Sequence, residues 1–473
     1  MKVYDKFYIN GQWVEPSNKV LMDVINPSDE SACAQIAIGN AEDVDKAAVA
    51  ASKAFSSYGF SSLNERKEIL QSIIQAYKNR YNDMADAISE EMGAPTQLAI
   101  KAQTGSGLGH FKTALSLLDS YSFSEKTSAS TIVKEPIGVC GLITPWNWPI
   151  NQIACKVAPA LAVGCTVILK PSEVAPLSAQ VFAEMIHEAG LPAGVFNLIN
   201  GDGAGVGTAL SAHPLVDMIS FTGSTRAGAL VAKNAAPTIK RVTQELGGKS
   251  ANIILPDADF EKAVKQGARS VFSNSGQSCN APTRMLVPTE KIKQAEDVAA
   301  KVASQVVVGR AKDETTTMGP VVSEMQFNKI RGLIQKGIDE GAKLVCGGVE
   351  KPDGLADGYY IQPTIFSNVT NDMTIAKEEI FGPVFAILPY KTIDQAIEIA
   401  NDTPYGLAGY IQGKDEETLS YVASRIRAGN ININGKSGDM LTPFGGYKQS
   451  GNGREWGAHG FSDFLEIKAI SGL

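Results

Sequence analysis

The stretch VCGLITPWNWPINQIACKVAPALAVGCTVILKPSE, residues 139–173, holds two short apolar runs with a helix-like segment between them. The runs VCGLI (139–143) and TVILK (166–170) have the length and composition of buried strands, and residues 151–163 predict a helix. A strand, a helix and a second strand in this order make a βαβ unit, whose strands are parallel. This stretch therefore predicts a parallel sheet with helices packed against it.

The same alternation continues along the chain. VFNLI (195–199) and MISFTG (218–223) predict further strands, and residues 177–189 and 205–212 predict helices. A second series predicts strands at ANIIL, RMLVP and VFAILPY, and helices over 259–272, 290–305, 324–340 and 415–427. We therefore predict an α/β protein with two doubly wound α/β domains that meet near QELGGKS (244–250).

The remaining segments are predicted from local pattern. The first hundred residues are expected to be mostly helical, because apolar residues recur at helical spacing from Ile69 to Ile88. Asn64 is the expected N-cap of this run, and Gly93 is expected to end it. The polar, β-prone segment SEKTSASTIVKEP (124–136) could form either a projecting hairpin or a surface loop.

Composition limits the possible functions. The 473 residues are 44% hydrophobic and carry a net charge of −7, which is unlike a protein that binds nucleic acid or an anionic membrane. The start MKVYDKFYINGQWVEP has no apolar signal region. Six cysteines without a C-x-x-C pair and four histidines without ligand spacing favour neither disulfides nor a metal site. We expect a cytoplasmic protein without a metal and without membrane or nucleic-acid partners.

Parallel sheets bind ligands at the carboxyl ends of their strands, so the residues after each predicted strand are candidates. Asn147 in TPWNWP belongs either to a rigid aromatic corner or to a donor for an oxyanion. Lys170 and Glu173 in KPSE could reach a ribose or form a plain surface pair. FTGSTRAG (221–228) offers a helix N-terminus for a pyrophosphate. Glu245 is either a base at the domain junction or a solvated glutamate.

A lone thiol lies on a small-residue turn. Cys279 in NSGQSCNAPTR (274–284) has no second cysteine within sixty residues. A single cysteine is more often a small buried hydrophobe than a nucleophile, and this segment alone does not separate the two roles.

Together these motifs resemble the aldehyde dehydrogenase superfamily over essentially the whole chain. The matching segments are PWNWP, KPSE, FTGST, ELGGKS, GQSCNA, EEIFGPV, NDTPYGLA and PFGGYKQSGNGRE. The resemblance implies a non-acylating, NAD(P)-dependent oxidation of an aldehyde to the carboxylic acid. In such a reaction a thiol adds to the aldehyde, the resulting alkoxide expels hydride to NAD, and the thioester is hydrolysed.

The resemblance also implies roles for five catalytic residues. Cys279 would be the nucleophile, and Asn147 with the Cys279 backbone N–H would hold the alkoxide. Glu245 would activate water for hydrolysis of the thioester. Lys156 and Glu455 match family positions whose role is either to relay protons behind this base or to support the structure.

The cofactor contacts implied by the resemblance are Trp146, Lys170, Glu173, Gly223, Ser224, Leu246, Glu379 and Phe381. Lys170 and Glu173 would bind the adenosine ribose, and Gly223 with Ser224 the pyrophosphate. Trp146 would line the cleft, Leu246 would lie near the carboxamide, and the last two would position the nicotinamide. A carboxylate at 173 repels a 2′-phosphate, which predicts NAD in preference to NADP.

Two departures from the family pattern affect the substrate pocket. The family often has an aromatic residue eight positions after the oxyanion-hole asparagine, where this chain has Cys155. The segment before PFGG, GKSGDMLT, also lacks the usual aromatic residue. We expect a pocket reshaped around Trp148, Asn280 and Met440, with no matching arginine for a substrate carboxylate.

Domain boundaries follow from the pattern and the resemblance together. Residues 1–121 and 138–244 would form a Rossmann-like NAD-binding domain, and residues 245–441 the catalytic domain. Residues 122–137 and the tail 442–473 would form a small β oligomerisation element. We expect a homodimer or homotetramer, in which the apolar tail FSDFLEIKAISGL adds to a neighbour's sheet edge.

Three other functions remain as alternatives. An acylating dehydrogenase would pass the acyl group to coenzyme A, which does not need the water-activating Glu245. A non-catalytic NAD-binding protein would not need Cys279, Glu245 and Asn147 together. A cysteine hydrolase would need a histidine partner, and none of the four histidines has a recognisable catalytic context.

Overall fold

The computed structural model describes residues 1–472, which form four β-sheets and the helices around them. The strands are β1 (Lys2–Tyr4), β2 (Phe7–Ile9), β3 (Gln12–Val14), β4 (Leu21–Ile25), β5 (Ala32–Ala37), β6 (Ser124–Lys126), β7 (Ser130–Pro136), β8 (Val139–Ile143), β9 (Thr166–Lys170), β10 (Phe196–Leu198), β11 (Met218–Thr222), β12 (Arg241–Glu245), β13 (Ala251–Ile254), β14 (Arg284–Pro288), β15 (Lys343–Cys346), β16 (Thr364–Ser367), β17 (Val384–Tyr390), β18 (Ala408–Gln412), β19 (Asn430–Ile433), β20 (Gly451–Asn452) and β21 (Leu465–Ser471).

The helices alternate with these strands through most of the chain. The α-helices are α1 (Ala41–Tyr58), α2 (Leu63–Asn79), α3 (Tyr81–Met92), α4 (Thr96–Leu98), α5 (Gly105–Leu117), α6 (Pro149–Val163), α7 (Leu177–Ala189), α8 (Thr208–Ala212), α9 (Thr225–Ala235), α10 (Phe260–Phe272), α11 (Ile292–Ala303), α12 (Glu324–Asp339), α13 (Thr374–Lys377), α14 (Ile393–Asn401), α15 (Glu416–Arg425) and α16 (Gly457–Ser462). The π-helical turns are Ala99–Thr104 and Gly203–Gly207, and the 3-10 turns are Ala236–Thr238, Ser273–Gly276, Thr289–Lys291 and Lys448–Ser450.

The first large sheet has the strand order β20-β12-β11-β8-β9-β10-β2-β3. Its five central strands, from β12 to β10, are parallel, and the outer strands β20, β2 and β3 are antiparallel. Helices α6 and α7 bury their apolar residues on one face, and α1, α8 and α9 pack on the other. The carboxyl ends of the parallel strands therefore meet at one edge, as a doubly wound sheet requires.

The second large sheet has the order β15-β16-β17-β14-β13-β18-β19, and only β15 is antiparallel. Helices α10 and α11 cover one face, and α12, α14 and α15 cover the other. The chain leaves the first sheet at Glu245 and enters the second at Ala251, within the QELGGKS segment. The predicted α/β fold with two doubly wound units is confirmed.

The expectation that the first hundred residues are mostly helical is wrong for residues 2–37, which contain five short strands. Strands β2 and β3 form a hairpin through Asn10 (φ 55) and Gly11 (φ 75). Asn-Gly suits a turn that needs two left-handed residues. Each strand of this hairpin has three residues, too few to show an alternating pattern against the helical signal downstream.

The predicted single helix after Asn64 is also corrected. It divides at Arg80 into α2 and α3. The N-cap of α2 is Ser62, whose hydroxyl accepts from the Glu65 N–H while the Glu65 carboxylate accepts from the Ser62 N–H. This reciprocal pair satisfies two free donors at the helix start, which Asn64 inside the first turn does not do. Gly93 ends α3 in a left-handed conformation, as expected.

Residues 124–136 form a hairpin, the first of the two alternatives. Strands β6 and β7 pair, and β21 adds to β7 in a three-stranded antiparallel sheet. The tail therefore pairs with the chain's own hairpin, and the expected addition to a neighbour's sheet edge stays a prediction. Within residues 1–472, every helix is too short or too polar to cross a membrane.

Candidate active site

Cys279 follows a strained turn at the end of α10. Asn274, Ser275 and Gly276 all have left-handed backbones, with φ of 52°, 54° and 73°. A Cβ at position 276 would lie 1.9 Å from the Gly382 carbonyl oxygen, so only glycine fits there. Backbone strain of this kind persists only where the surroundings hold it.

Buried hydrogen bonds hold this turn. Gln277 donates from Nε2 to the Asn274 carbonyl (3.1 Å), and its Oε1 accepts from the Val322 N–H (2.9 Å). Gln103 donates to Asn274 Oδ1 (3.1 Å). Each bond is shielded from water, so the turn is rigid and presents Cys279 in one orientation.

Asn147 and Trp148, which follow β8, attach to the residues immediately before the cysteine. Asn147 Nδ2 donates to the Gln277 carbonyl (3.0 Å), and the Asn147 carbonyl accepts from Asn274 Nδ2 (2.9 Å). Trp148 Nε1 donates to Ser278 Oγ (2.8 Å). The Asn147 amide is buried and fixed by one of its two N–H groups, so the other is free to donate to a bound ligand.

The environment of the Cys279 thiol is acidic. The thiol is half-buried, and burial followed by the nearby carboxylates of Glu379, Glu245 and Glu455 raises its pKa well above the ordinary value. Both effects disfavour a thiolate. The thiol is therefore protonated at neutral pH and needs a base to become a nucleophile.

Glu245 ends β12 and has an unusual carboxyl group. The residue is only 4% exposed, and neither carboxyl oxygen has a hydrogen-bond partner within residues 1–472. Burial and the neighbouring Glu455 raise its pKa well above the ordinary value. A Cβ at Gly445 would lie 2.6 Å from Glu245 Oε1, so the glycine leaves room for the carboxyl group. Such a group holds a proton more tightly than an exposed glutamate does, which is typical of a residue that works as a general acid or base.

An ion pair lies behind this carboxyl group. Lys156 Nζ on α6 pairs with Glu455 Oε1, and the Cys155 thiol donates to Glu455 Oε2 at 3.3 Å. Burial lowers the pKa of Lys156, but the Glu455 carboxylate raises it further, and the net direction is upward. Lys156 is therefore a fully buried cation within an acidic cluster.

The glycines after Glu245 bring the two large sheets together. A Cβ at Gly248 would lie 2.4 Å from the Cys279 carbonyl, and one at Gly247 would lie 2.4 Å from Glu379 Oε2. The Gly248 N–H donates to Glu379 Oε1 (2.9 Å). ELGGKS is therefore a close-packed seam between the cysteine turn and the segment that carries Glu379.

Four other predicted cofactor residues lie at the carboxyl edge of the first sheet, at the end of β9 and after β11. Lys170 ends β9, is buried, and donates from Nζ to Glu173 Oε2 (3.0 Å). Gly223 precedes Ser224, whose hydroxyl caps α9 by accepting from the Ala227 N–H. This helix start is exposed and points its free N–H groups outward, as a phosphate site requires.

Two of the predicted cofactor residues contact each other through their aromatic rings. Trp146, after β8, meets Phe381 edge-to-face at 5.4 Å between ring centroids. Phe381 has a positive φ of 59°, which is rare for an aromatic residue and fixes its direction. Leu246 is buried, and its N–H donates to the Ser450 carbonyl (2.9 Å).

The carboxyl edge of the first sheet fits a polar ligand. Thr144 after β8, Asn200 after β10 and Thr222 at the end of β11 are buried, and each has a side-chain polar atom without a partner among the described residues. Buried polar groups are normally paired, so three orphans at one edge indicate a ligand that supplies the partners. NAD, with two riboses and a pyrophosphate, has such groups.

A cavity of about 310 Å³ lies beside the cysteine turn and is lined by Trp148, Ser278 and Asn280. Deeper in this cavity are the amides of Asn252 and Gln412. Its other lining residues are Gln266, Gly267, Ser270, Ser273, Ala281, Pro282, Tyr410, Asn432, Gly435, Lys436 and Ser437. The wall is thus mostly amide and hydroxyl groups, with one cation and no carboxylate. Met440 lies elsewhere, against Gly109 of α5.

Sequence reasoning missed the residues that support this site. Gln277 and Asn274 hold the cysteine turn, and Ser450 donates to the Gly247 carbonyl (2.7 Å) while accepting from the Gly406 N–H. All three lie within or beside the quoted motifs. Their polar side chains amid small residues were the available signal.

A family model described as "Aldehyde dehydrogenase family" matches residues 13–470. A 3-succinoylsemialdehyde-pyridine dehydrogenase from a Pseudomonas species is 54% identical over 473 residues, covering 100% of this chain and 99% of the relative. Both matches span nearly the whole chain.

Solved structures agree. A mutant of aldehyde dehydrogenase C from Pseudomonas syringae, complexed with NAD+ and octanal, has a TM-score of 0.98 and 52% identity, covering 99% of this chain and 96% of that one. The Mycobacterium tuberculosis aldehyde dehydrogenase complexed with NAD+ has a TM-score of 0.97 and 37% identity, covering 100% and 99%.

Proposed function

The chain belongs to the aldehyde dehydrogenase family and oxidises an aldehyde to the carboxylic acid with NAD as its cofactor, and on that premise we propose which residues carry the reaction. The observation that carries the proposal is the rigid turn that holds Cys279 between the fixed Asn147 amide and the unpartnered Glu245 carboxyl. Nucleophile, oxyanion donor and base are thereby supplied from three separate elements.

The proposed first step is covalent. Glu245 removes the Cys279 proton, and the sulfur adds to the carbonyl carbon to form a tetrahedral alkoxide. Asn147 Nδ2 and the Cys279 N–H donate hydrogen bonds to the alkoxide oxygen. NAD, when bound, accepts the hydride that leaves this carbon. The acyl group is left on Cys279 as a thioester.

The proposed second step is hydrolysis. Glu245 first gives up the proton that it took from Cys279 and then takes a proton from water, and the hydroxide adds to the thioester carbon. The carbon–sulfur bond breaks to release the acid, and the Cys279 thiolate recovers a proton from Glu245. The Lys156–Glu455 pair lies behind Glu245 and is proposed to pass the proton onward. The dependence of this step on Glu245 favours water over coenzyme A as the acyl acceptor.

The proposed cofactor contacts are those predicted from the sequence. Lys170 and Glu173 would hold the adenosine ribose, and Gly223 with Ser224 the pyrophosphate at the start of α9. The nicotinamide end is assigned to Trp146, Leu246, Glu379 and Phe381. The orphan polar atoms at the same sheet edge support this placement. The Glu173 carboxylate favours NAD, because a 2′-phosphate would meet a like charge.

The test of these roles is stopped-flow NADH formation with the variants Cys279→Ala, Glu245→Gln and Asn147→Ala. We expect no burst from Cys279→Ala, a slowed burst without steady turnover from Glu245→Gln, and a slowed burst from Asn147→Ala. Steady turnover by Cys279→Ala would overturn the covalent mechanism. Tryptophan fluorescence titration with NAD shows whether each variant still binds the cofactor.

We further propose that the preferred aldehyde has an aromatic, hydrogen-bond-accepting far end. One relative is named for a pyridine-bearing semialdehyde, and another was crystallised with octanal. The cavity beside Cys279 supports the first kind, because Trp148 offers a ring surface and Asn252 has a buried Nδ2 donor without a partner. An octyl chain would leave the Asn252 donor unpaired, which is costly.

The test compares kcat/KM for 4-oxo-4-(pyridin-3-yl)butanal and for octanal. Gln412 Nε2 donates to Asn252 Oδ1 (3.1 Å) and so holds the Asn252 amide with its Nδ2 free. We expect the pyridine aldehyde to be preferred, and Gln412→Leu to reduce that preference about tenfold, the order of one lost hydrogen bond, because the Asn252 donor is no longer fixed. Gln305→Leu, an exposed glutamine elsewhere, is the matched control. Preference of the native enzyme for octanal would overturn the proposal.

We propose self-association into a homodimer or homotetramer through the β21-β7-β6 sheet. Ile467 on β21 is 72% exposed, and every residue of β7 is only half-buried, so this sheet has little core of its own. An exposed edge strand with apolar side chains is typical of an interface. Light scattering coupled to gel filtration that gives a stable monomer would contradict this.

We propose the domain division given above, with residues 1–121 and 138–244 binding NAD, 245–441 catalytic, and 122–137 with 442–473 as the oligomerisation element. The crossing between sheets at 245–251 supports it, and β20 ties the tail to the first sheet as well. Hydrogen exchange should give each unit its own rate class.

The six free cysteines support a cytoplasmic location, which fractionation of cells would test.

A further inference from the structure

Glu455 accepts from two consecutive residues of α6. Its Oε1 pairs with Lys156 Nζ, and its Oε2 accepts from the Cys155 thiol at 3.3 Å. Cys155 is 2% exposed and Lys156 is fully buried. A buried carboxylate needs donors on both oxygens, and here one helix turn supplies both. The thiol also lies 3.4 Å from the Gln152 carbonyl, its only other hydrogen-bond acceptor among the described residues.

Cys155 remains a donor throughout the working pH range. Burial, and then the negative charge of Glu455, raises the pKa of this thiol well above its ordinary value. A protonated thiol is a poor nucleophile. The second cysteine of the site therefore acts through its hydrogen bond, unlike Cys279, which must lose its proton to react.

Glu455 faces charged and titratable groups from several elements. Glu245 of β12 lies on one side, and Lys156 and Cys155 of α6 lie on another. The remaining groups are Cys279, His110 of α5, Arg454, and Asp463 beyond α16. His110 bonds Asn151, and burial lowers its pKa so that it is neutral; Asp463 accepts from the Arg454 N–H.

We propose that Cys155 is a positioning residue whose thiol holds the Glu455 carboxylate in its bond with Lys156 and thereby sets the pH range in which the thioester is hydrolysed. The proposal rests on the proposed roles of Glu245, Lys156 and Glu455. A donor to one carboxylate of an acidic cluster favours the deprotonated cluster, so its loss makes the cluster hold its proton more tightly.

The test measures two pH profiles from the same reaction. The NADH burst reports thiol addition and hydride loss, and the following steady rate reports thioester hydrolysis. In Cys155→Ala we expect the acid side of the pH profile of the steady rate to shift to higher pH by about one unit. This is the size of shift that one lost hydrogen bond to a charged group implies. Cys155→Ser keeps a donor and should restore the native limb. The burst amplitude counts correctly folded sites in each variant.

Cys140→Ala is the matched control, because Cys140 is another fully buried cysteine of the same unit. It should leave both profiles in place. A Cys155→Ala profile that coincides with the native one, or a Cys155→Ser profile as shifted as that of Cys155→Ala, overturns the proposal. Normal steady turnover by Glu245→Gln would instead overturn the proposed base and remove the premise. The two failures are therefore distinguishable.

Discussion

Two buried carboxyl groups of the first α/β unit have opposite surroundings. Glu91 is fully buried and accepts from the backbone N–H groups of Leu177 and Ser178 at the start of α7. Glu245 is almost as buried and has no hydrogen-bond partner within residues 1–472. The Glu91 carboxyl group satisfies free N–H groups at the start of α7, whereas the Glu245 carboxyl group has no donor among the described residues.

The difference appears in the proton affinity of the two groups. Burial raises the pKa of Glu91 only to about 7, because the helix N–H groups of Ser178 and Leu177 oppose it. For Glu245 burial is reinforced by Glu455, and its pKa lies well above the ordinary value. The comparison teaches that a partnered buried carboxyl group serves the fold, whereas an unpartnered one costs stability and is available for chemistry.

The largest expected effect comes from Glu245→Gln. An amide can accept neither the Cys279 proton nor a proton of water, so the NADH burst should slow and steady turnover should fall by about 10²–10⁴-fold. The melting temperature should not fall, because the native carboxyl group makes no hydrogen bond that the variant loses. Stopped-flow absorbance and thermal unfolding check both halves. A strongly destabilised variant would break the comparison.

The next largest effect tests Asn147, the proposed donor to the alkoxide oxygen. Asn147→Ala removes one proposed oxyanion donor and should slow the burst by about 10²–10³-fold. Asn79→Ala, at an exposed asparagine of α2, is the control and should leave the burst rate as it is. An unchanged burst in the first variant would show that the amide only holds the Gln277 turn.

Glu91 should affect stability in a pH-dependent way. Its folded pKa of about 7 lies above the ordinary 4.5, so the folded state binds more protons between these values. Its contribution to the free energy of unfolding is therefore fully present below pH 4.5 and is lost as pH rises through 7, by on the order of 3 kcal/mol. Urea unfolding of the native protein and Glu91→Gln across this window should show the slope only in the native protein. Parallel curves would contradict the assignment.

The smallest expected effect concerns Glu173, a carboxylate that has one partner and is less buried than Glu91 and Glu245. Glu173 has a partner, Lys170, and its side chain is 32% exposed. Glu173→Gln should reduce the kcat/KM preference for NAD over NADP by about five- to tenfold, the order of one like-charge contact near the surface. A preference that survives the substitution would place cofactor discrimination elsewhere.

Much of the site could be predicted because its chemistry lies in short motifs at strand ends. Cys279, Asn147 and Glu245 were all named from such motifs, and the structure brings them to one seam. Their supports were not predicted: Gln277 bonds Val322, and Ser450 bonds Gly247, across 45 and 203 residues. A linear pattern shows which residues could react, but long-range contacts decide which of them are held.

The errors in the fold have a similar origin. The hairpin at Asn10–Gly11 has a strong short turn signal, yet its three-residue strands show no period. The cap of α2 at Ser62 depends on a reciprocal bond with Glu65. Both features are local, and both were hidden by the longer helical pattern that follows them. Strands β2 and β3 have three residues each, which is too short to show the alternation of apolar and polar residues that longer strands show.

The pairing of β20 with β12 has a consequence for the making of the protein. Strand β20 closes the edge of a sheet whose parallel strands end at residue 245, and Ser450 and Glu455 come from the same late segment. On the ribosome, more than two hundred residues are translated between the base and the carboxylate that faces it. A nascent chain that already contains Cys279, Asn147 and Glu245 therefore cannot yet assemble the acidic cluster, and the thiol becomes a controlled nucleophile only after Glu455 has been added.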